Sequence, residues 1–231
     1  MAGNILSADL NSTKIYLHSG FTTTISSSFS SPSNQVTGLN WDGTNVLSGD
    51  ATLNKIYLHT GFSSTISNSF SSPSTLLFGV AWDGTNILSE DRTSDKIYLH
   101  SGFTTTISNS FSSPSTFPEG LAWDGTNVLS SDRLSTKIYL HSGFTTTISN
   151  SFSSPSTSNT GIGYDGTNVL SSDTASLKIY LHSGFSSTIS NSFSSPSDIP
   201  EGIADDSWSG VSPPAATTIV GWKTLLGVGQ G

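Results

Sequence analysis

The chain has 231 residues, of which 33% are hydrophobic, 10% aromatic and only 10% charged, with Ser, Thr, Gly and Asn making up the difference. A formal net charge of −8 argues against a nucleic-acid partner, because phosphate binding needs a basic surface to displace counterions. No cysteine is present, which excludes a disulfide framework and thiolate chemistry.

The opening "MAGNILSADL" has neither a basic n-region nor a long apolar run, so no signal peptide is visible. Such polar composition also suits a disordered linker, but the aromatic and apolar residues fall at fixed places, which favours a folded β protein. The first β-type run is Asn4-Ile5-Leu6-Ser7, matched one repeat later by Asn45-Val46-Leu47-Ser48. "KIYLH" follows at Lys14 and returns at Lys55, Lys96, Lys137 and Lys178, at intervals of 41 residues.

One full unit reads as four strand positions. A is "GLAWD" from Gly120, B is "NVLSS" from Asn127, C is "KIYLH" from Lys137 and D is "TTISNSF" from Thr146. An Asp-Gly turn, "DGTN", joins A to B, and "HSGFTT" joins C to D, with Gly143 free to take positive φ. "SSPS" ends D with a proline that cannot donate to a ladder. Four strands in about 40 residues, repeated in tandem, are the signature of a β-propeller blade. A helical repeat is disfavoured, since no 3.6-residue period appears.

The chain starts at position B and its last A-like run is "GIADD", Gly202 to Asp206. The expected fold is therefore an all-β, five-bladed propeller over residues 1–206, with 202–206 completing the first blade and closing the ring. Residues 207–231 lie outside the repeat: Pro213-Pro214 reads as a stiff spacer. Behind it, Trp222, Leu225 and Leu226 read either as packing on the propeller or as a docking tail for a partner or second subunit. "TIVGWKTLLGVG" is too short to span a bilayer and carries Lys223.

The pattern carried by Gly120-Leu121-Ala122-Trp123-Asp124, Asp132 and Lys137-Ile138-Tyr139 resembles the propeller repeats of the NHL and YncE-like families. That resemblance covers residues 1–206 and implies the fold while saying almost nothing of function. The near-identical blades also look like propeller proteins of bacteria and phages, and tachylectin-type lectins are similar in architecture only. The WD-repeat signature does not apply, because the Trp-Asp pair precedes a turn and no Gly-His opens the unit.

Each repeat holds one histidine (His18, His59, His100, His141, His182) and one aspartate ending B (Asp9, Asp50, Asp91, Asp132, Asp173). Fivefold repetition spreads these around a ring, whereas a metal or catalytic site needs unlike groups converging. They read as structural, Asp capping the B–C turn and His ending C, and no cofactor or metal is called for. Trp41, Trp82, Trp123 and Tyr164 read as core packing, with Trp82 buried between blades, or else as sugar-stacking platforms.

The copies differ mainly after D ("NQVT", "TLLF", "TFPE", "TSNT", "DIPE") and between B and C. Both segments emerge on one face of an up-and-down blade. That face would carry Gln35, Val36, Leu76, Leu77 and Phe78, with Arg92, Phe117 and Glu119. Arg133, Asn159, Ile199 and Glu201 complete the set of candidate binding residues. Loop drift and a recognition surface both account for the variation. The leading expectation is a non-enzymatic binding or structural module on a virion or cell envelope, binding a surface glycan or protein. A lectin with up to five sugar sites and an enzyme with an axial pocket are the alternatives.

Overall fold

A computed structural model describes residues 3–210; the expected docking residues Trp222, Leu225 and Leu226, and the Pro213-Pro214 spacer, lie outside the described residues. Twenty strands form five four-stranded antiparallel sheets, each one blade of a β-propeller. Blade 2 is β4 (Val36–Trp41), β5 (Val46–Asp50), β6 (Lys55–His59) and β7 (Ile66–Ser71). Blade 3 is β8 (Leu77–Trp82), β9 (Ile87–Asp91), β10 (Lys96–His100) and β11 (Ile107–Ser112). Blade 4 is β12 (Pro118–Trp123), β13 (Val128–Asp132), β14 (Lys137–His141) and β15 (Ile148–Ser153). Blade 5 is β16 (Asn159–Tyr164), β17 (Val169–Asp173), β18 (Lys178–His182) and β19 (Ile189–Ser194). Blade 1 joins the two ends of the chain: β20 (Pro200–Asp205) lies beside β1 (Ile5–Asp9), then β2 (Lys14–His18) and β3 (Ile25–Ser30). The A position starts about two residues earlier than the sequence indicates, so closure uses 200–205.

Closure repeats the turn chemistry of the other blades. In "DGTN", Asp42 Oδ1 accepts from the Thr44 and Asn45 amides at 2.8 and 2.6 Å, and Asn45 Nδ2 donates to Asp42 Oδ2 at 3.0 Å. In blade 1 the same pair is split between the two ends: the Asn4 amide donates to Asp206 Oδ1 at 2.7 Å, and Asn4 Nδ2 donates to Oδ2 at 2.8 Å.

The apolar core is five separate inter-blade clusters. Leu47, Ile56 and Phe70 of blade 2 meet Leu77, Val80 and Ile87 of blade 3. The closing interface packs Leu170, Ile179 and Phe193 of blade 5 against Ile5 and Ile203 of blade 1. This is why adjacent apolar residues such as Leu121-Ala122 in A and Val128-Leu129 in B are all buried: both faces of an inner strand are covered by neighbouring blades. The outer strands are mostly exposed, as Ile25–Ser30 illustrates.

Around the axis the five inner strands approach backbone to backbone. A Cβ on Gly38 would lie 2.7 Å from the Val80 nitrogen, one on Gly120 2.7 Å from the Ile162 nitrogen, and one on Gly202 2.7 Å from the Leu39 nitrogen. Only glycine permits this spacing. Trp82 is half-buried against the blade 2–3 cluster rather than enclosed by it.

Candidate binding face

The histidines sit at blade interfaces. Each is fully buried and its Nε2 lies 2.8–2.9 Å from a serine hydroxyl on the neighbouring strand: Ser7–His18, Ser48–His59, Ser89–His100, Ser130–His141 and Ser171–His182. In His100, His141 and His182, Nδ1 faces the carbonyl oxygen of Thr104, Thr145 or Ser186 at 2.9–3.0 Å. A carbonyl only accepts, so Nδ1 carries the proton and Nε2 accepts from the serine. This orientation is that of a nucleophile and its base, yet it is closed to substrate. The preceding blade's phenylalanine stacks on each ring, as Phe70 does on His100 at 4.9 Å. Burial pushes His59, His100, His141 and His182 down to about 4. The serine partners could have been found in the sequence, since each stands 11 positions before its histidine.

The same packing explains why the phenylalanine of the C–D turn is present in every copy, while its Ser and Thr positions interchange. Its phenylalanine packs edge-on against the previous blade's phenylalanine, 4.8 Å apart in Phe70–Phe103, Phe111–Phe144 and Phe152–Phe185. Its constancy is a packing constraint, so the contrast with the variable loops does not by itself argue for selection on them.

The aspartates ending B cap the B–C turn as expected: Asp132 Oδ1 accepts from the Ser135 amide at 2.7 Å. They also tie that turn to the incoming A strand. Asp132 Oδ2 accepts from the Phe117 amide at 3.1 Å, and Asp9 Oδ2 from the Ile199 amide at 3.1 Å.

The variable D–A and B–C segments share one face, but not all their residues are surface. Val36, Leu77, Glu119, Asn159 and Glu201 are buried, because each belongs to the start of an inner strand and not to a loop. Leu77 is wholly enclosed in the blade 2–3 cluster and pairs with Asp91 in the ladder, which corrects the picture of an exposed "TLLF" patch. Leu76 is 43% exposed and takes φ 65°, Gln35 and Arg133 are exposed, and Phe78 and Ile199 are half-buried.

Chemical asymmetry concentrates on blades 3 and 4. The guanidinium carbon of Arg92 lies 3.6 Å from the Phe78 ring centre and 5.2 Å from that of Phe117, and the group pairs with Glu119. Burial holds Glu119 up at about 7 against the pull of Arg92 and Arg133. Glu90 and Glu201 are held well above the usual carboxylate range, first by burial and then by neighbouring acids. Beside Phe117 opens a surface groove of ≈ 370 Å³, lined by Arg133, Leu134, Thr136 and Thr157. The axis itself holds ≈ 10 Å³, room for one water.

The opposite mouth of the axis is covered by Trp208. Its ring meets Tyr164 edge-on at 5.2 Å, and its Nε1 donates to the Trp123 carbonyl at 2.8 Å. Gly210, the last described residue, lies against Trp82, Asp83 and Gly84 on the A–B turn face. Trp41, Trp82, Trp123 and Tyr164 are half-buried on inter-blade clusters. Among the described residues, no group of three or more His, Asp or Glu could hold a metal ion, and no helix is long and apolar enough to cross a membrane.

No protein-family model matches the chain, and no curated protein is similar to it. Among solved structures, a glutaminyl cyclase from Myxococcus xanthus is similar with a TM-score of 0.57 at 13% identity, over 74% of this chain and 70% of that one. At that identity the likeness is one of fold and carries no activity across.

Proposed function

We propose that the protein is a non-catalytic binding module that recognises its partner through the face formed by the D–A connections and B–C turns. The observation that carries this reading is the concentration of unlike chemistry on that face of blades 3 and 4. Both arginines of the chain are there, with Phe78, Phe117 and Leu134, in a molecule otherwise repeated nearly unchanged. Display on a surface such as a virion or cell envelope fits the course of the chain. Gly210, the last described residue, lies on the A–B turn face, opposite the variable loops that would meet a surface glycan or protein. The enzyme reading draws no support from an axis that admits one water, and Trp41, Trp82 and Trp123, half-buried against the blade clusters, leave only part of each ring for a sugar.

The test gives blades 3 and 4 the side chains that blade 5 carries at the same places: Leu76→Ser, Phe117→Ser, Arg133→Thr and Leu134→Ala, after Ser158, Thr174 and Ala175. Native protein and variant are screened on glycan and peptide arrays, with a melt on each. Partners held by the native protein and lost by an equally stable variant support the reading; partners held equally by both refute it.

A further inference from the structure

Arg92 and Arg133 open the B–C turns of successive blades, 41 positions apart, yet their surroundings differ. Arg92 is enclosed by Phe78 of its own blade and by Phe117 and Glu119 of the next. One blade on, the positions that correspond to Phe78, Phe117 and Glu119 are filled by Glu119, Ser158 and Thr160. Thr160 is buried and its hydroxyl is committed to the Pro200 carbonyl. The carboxylate that blade 4 supplies to Arg92 thus has no counterpart from blade 5 beside Arg133, and the second aromatic wall is missing as well.

Among the described residues, the Arg133 side chain makes no hydrogen bond and no ion pair, and it is exposed. Of the acids around it, Glu119 and Glu201 both feel its charge, but Glu119 pairs with Arg92 and Glu201 is buried, while Asp132 accepts from the Phe117 and Ser135 amides. The groove beside Arg133 has apolar walls that water covers. Leu134 is 65% exposed and Phe117 43%.

We infer that this groove is a subsite for a carboxylate borne next to an apolar or aromatic group, as at the carboxy-terminus of a peptide ending in a large apolar residue. The inference rests on the recognition-face reading and names the chemistry of its ligand. A guanidinium presents paired donors in a plane that matches a carboxylate, and a carboxylate there supplies the ion pair that Arg92 makes with Glu119 of the next blade. Phe117 and Leu134 then bury the adjoining side chain. The volume is at the lower end of small-ligand sites, about 300–1,000 Å³, and suits a group of one or two residues. Because Arg133 is open to water, a single such contact is weak, and affinity comes from the rest of the partner.

The probes are N-acetylphenylalanine, its carboxamide, and a short Gly/Ser peptide ending in phenylalanine with a free carboxylate. Backbone amide NMR shifts are followed on the native protein, Arg133→Gln and Arg133→Lys. The expected result is that the acid shifts Phe117, Leu134 and Thr157, that the carboxamide binds at least about tenfold more weakly, and that Arg133→Gln loses the acid while Arg133→Lys keeps part of it. Tighter binding of the peptide than of N-acetylphenylalanine identifies a chain end as the source; equal binding points to free apolar acids. Acid and carboxamide binding alike, native affinity in an equally stable Arg133→Gln, or no shift at the groove each overturns the subsite. An array partner that needs the variable face but ignores Arg133→Gln overturns the subsite alone and leaves the recognition face standing.

Discussion

Glu90 stands where the other blades carry Ala8, Gly49, Ser131 and Ser172. It is fully buried and neither carboxyl oxygen has a hydrogen-bond partner among the described residues. Burial, with Asp132 and Glu119 nearby, favours its protonated form. A group raised in the folded state stabilises below its unfolded pKa and loses that contribution as pH rises towards the folded value. Glu90→Gln should therefore match the native protein near pH 4 and exceed it increasingly above, by up to about 1.4 kcal/mol per pH unit within that window. Urea unfolding of both proteins at pH 4, 6 and 8 checks this, and a constant difference at all three would contradict it. The comparison must be between variants. Four histidines lowered to about 4 act oppositely in the native protein, their stabilisation being present above pH 6.5 and lost as pH falls towards 4.

At the level of single elements, the B–C turn places one non-glycine residue in the left-handed region in every blade. Thr13, Asn54, Asp95, Thr136 and Leu177 all take φ between 49° and 56°. Asn and Asp tolerate this left-handed region, but for leucine it costs roughly 1–2 kcal/mol. Leu177→Asn should stabilise by about 1 kcal/mol, read as a higher urea midpoint at unchanged m-value; a lower midpoint would show that the leucine side chain contributes packing that outweighs the strain. The "TLLF" segment separates into unlike residues. Leu76→Ser should leave the melt unchanged, since its side chain meets solvent. Leu77→Ala should cost about 2–5 kcal/mol, the range for emptying a buried leucine site. Equal melts for the two variants would place Leu77 outside the core.

On the scale of the ring, closure by β20 is the decisive contact, because it completes blade 1 and the blade 5–1 cluster together. Ending the chain after Ser197 removes Ile203, Ala204 and Asp206, and should lower the melting temperature steeply or abolish cooperative unfolding. Circular dichroism and size-exclusion chromatography follow both outcomes. A permutant that joins Asp206 to Asn4 through Gly-Thr, with new ends in the "DGTN" turn of blade 3, should fold as the native chain does, because the hydrogen bonds of the severed turn already form between chain ends. Failure of that permutant to fold would mean that the ring depends on where the chain is interrupted.

The repeat period, the four strand positions, the blade count and the exchange that closes the ring were all legible in the sequence. They depend on local turn chemistry and on a pattern copied five times: the Asp-Gly turn, the proline after D, and the A-like run displaced to the far end. What could not be read there is which side chains of a variable segment face water. Strands in a propeller are covered on both faces, so exposure follows the distance from the axis and not a period along the chain. Leu76 and Leu77 are adjacent and identical in type, yet one is exposed and the other enclosed. The enclosure of Arg92 and the openness of Arg133 likewise depend on residues 27 positions further on, Glu119 for the first and Thr160 for the second. Only the packing of one blade on the next brings those positions together, and so only the tertiary structure decides which arginine has a counter-ion and which stays open to water.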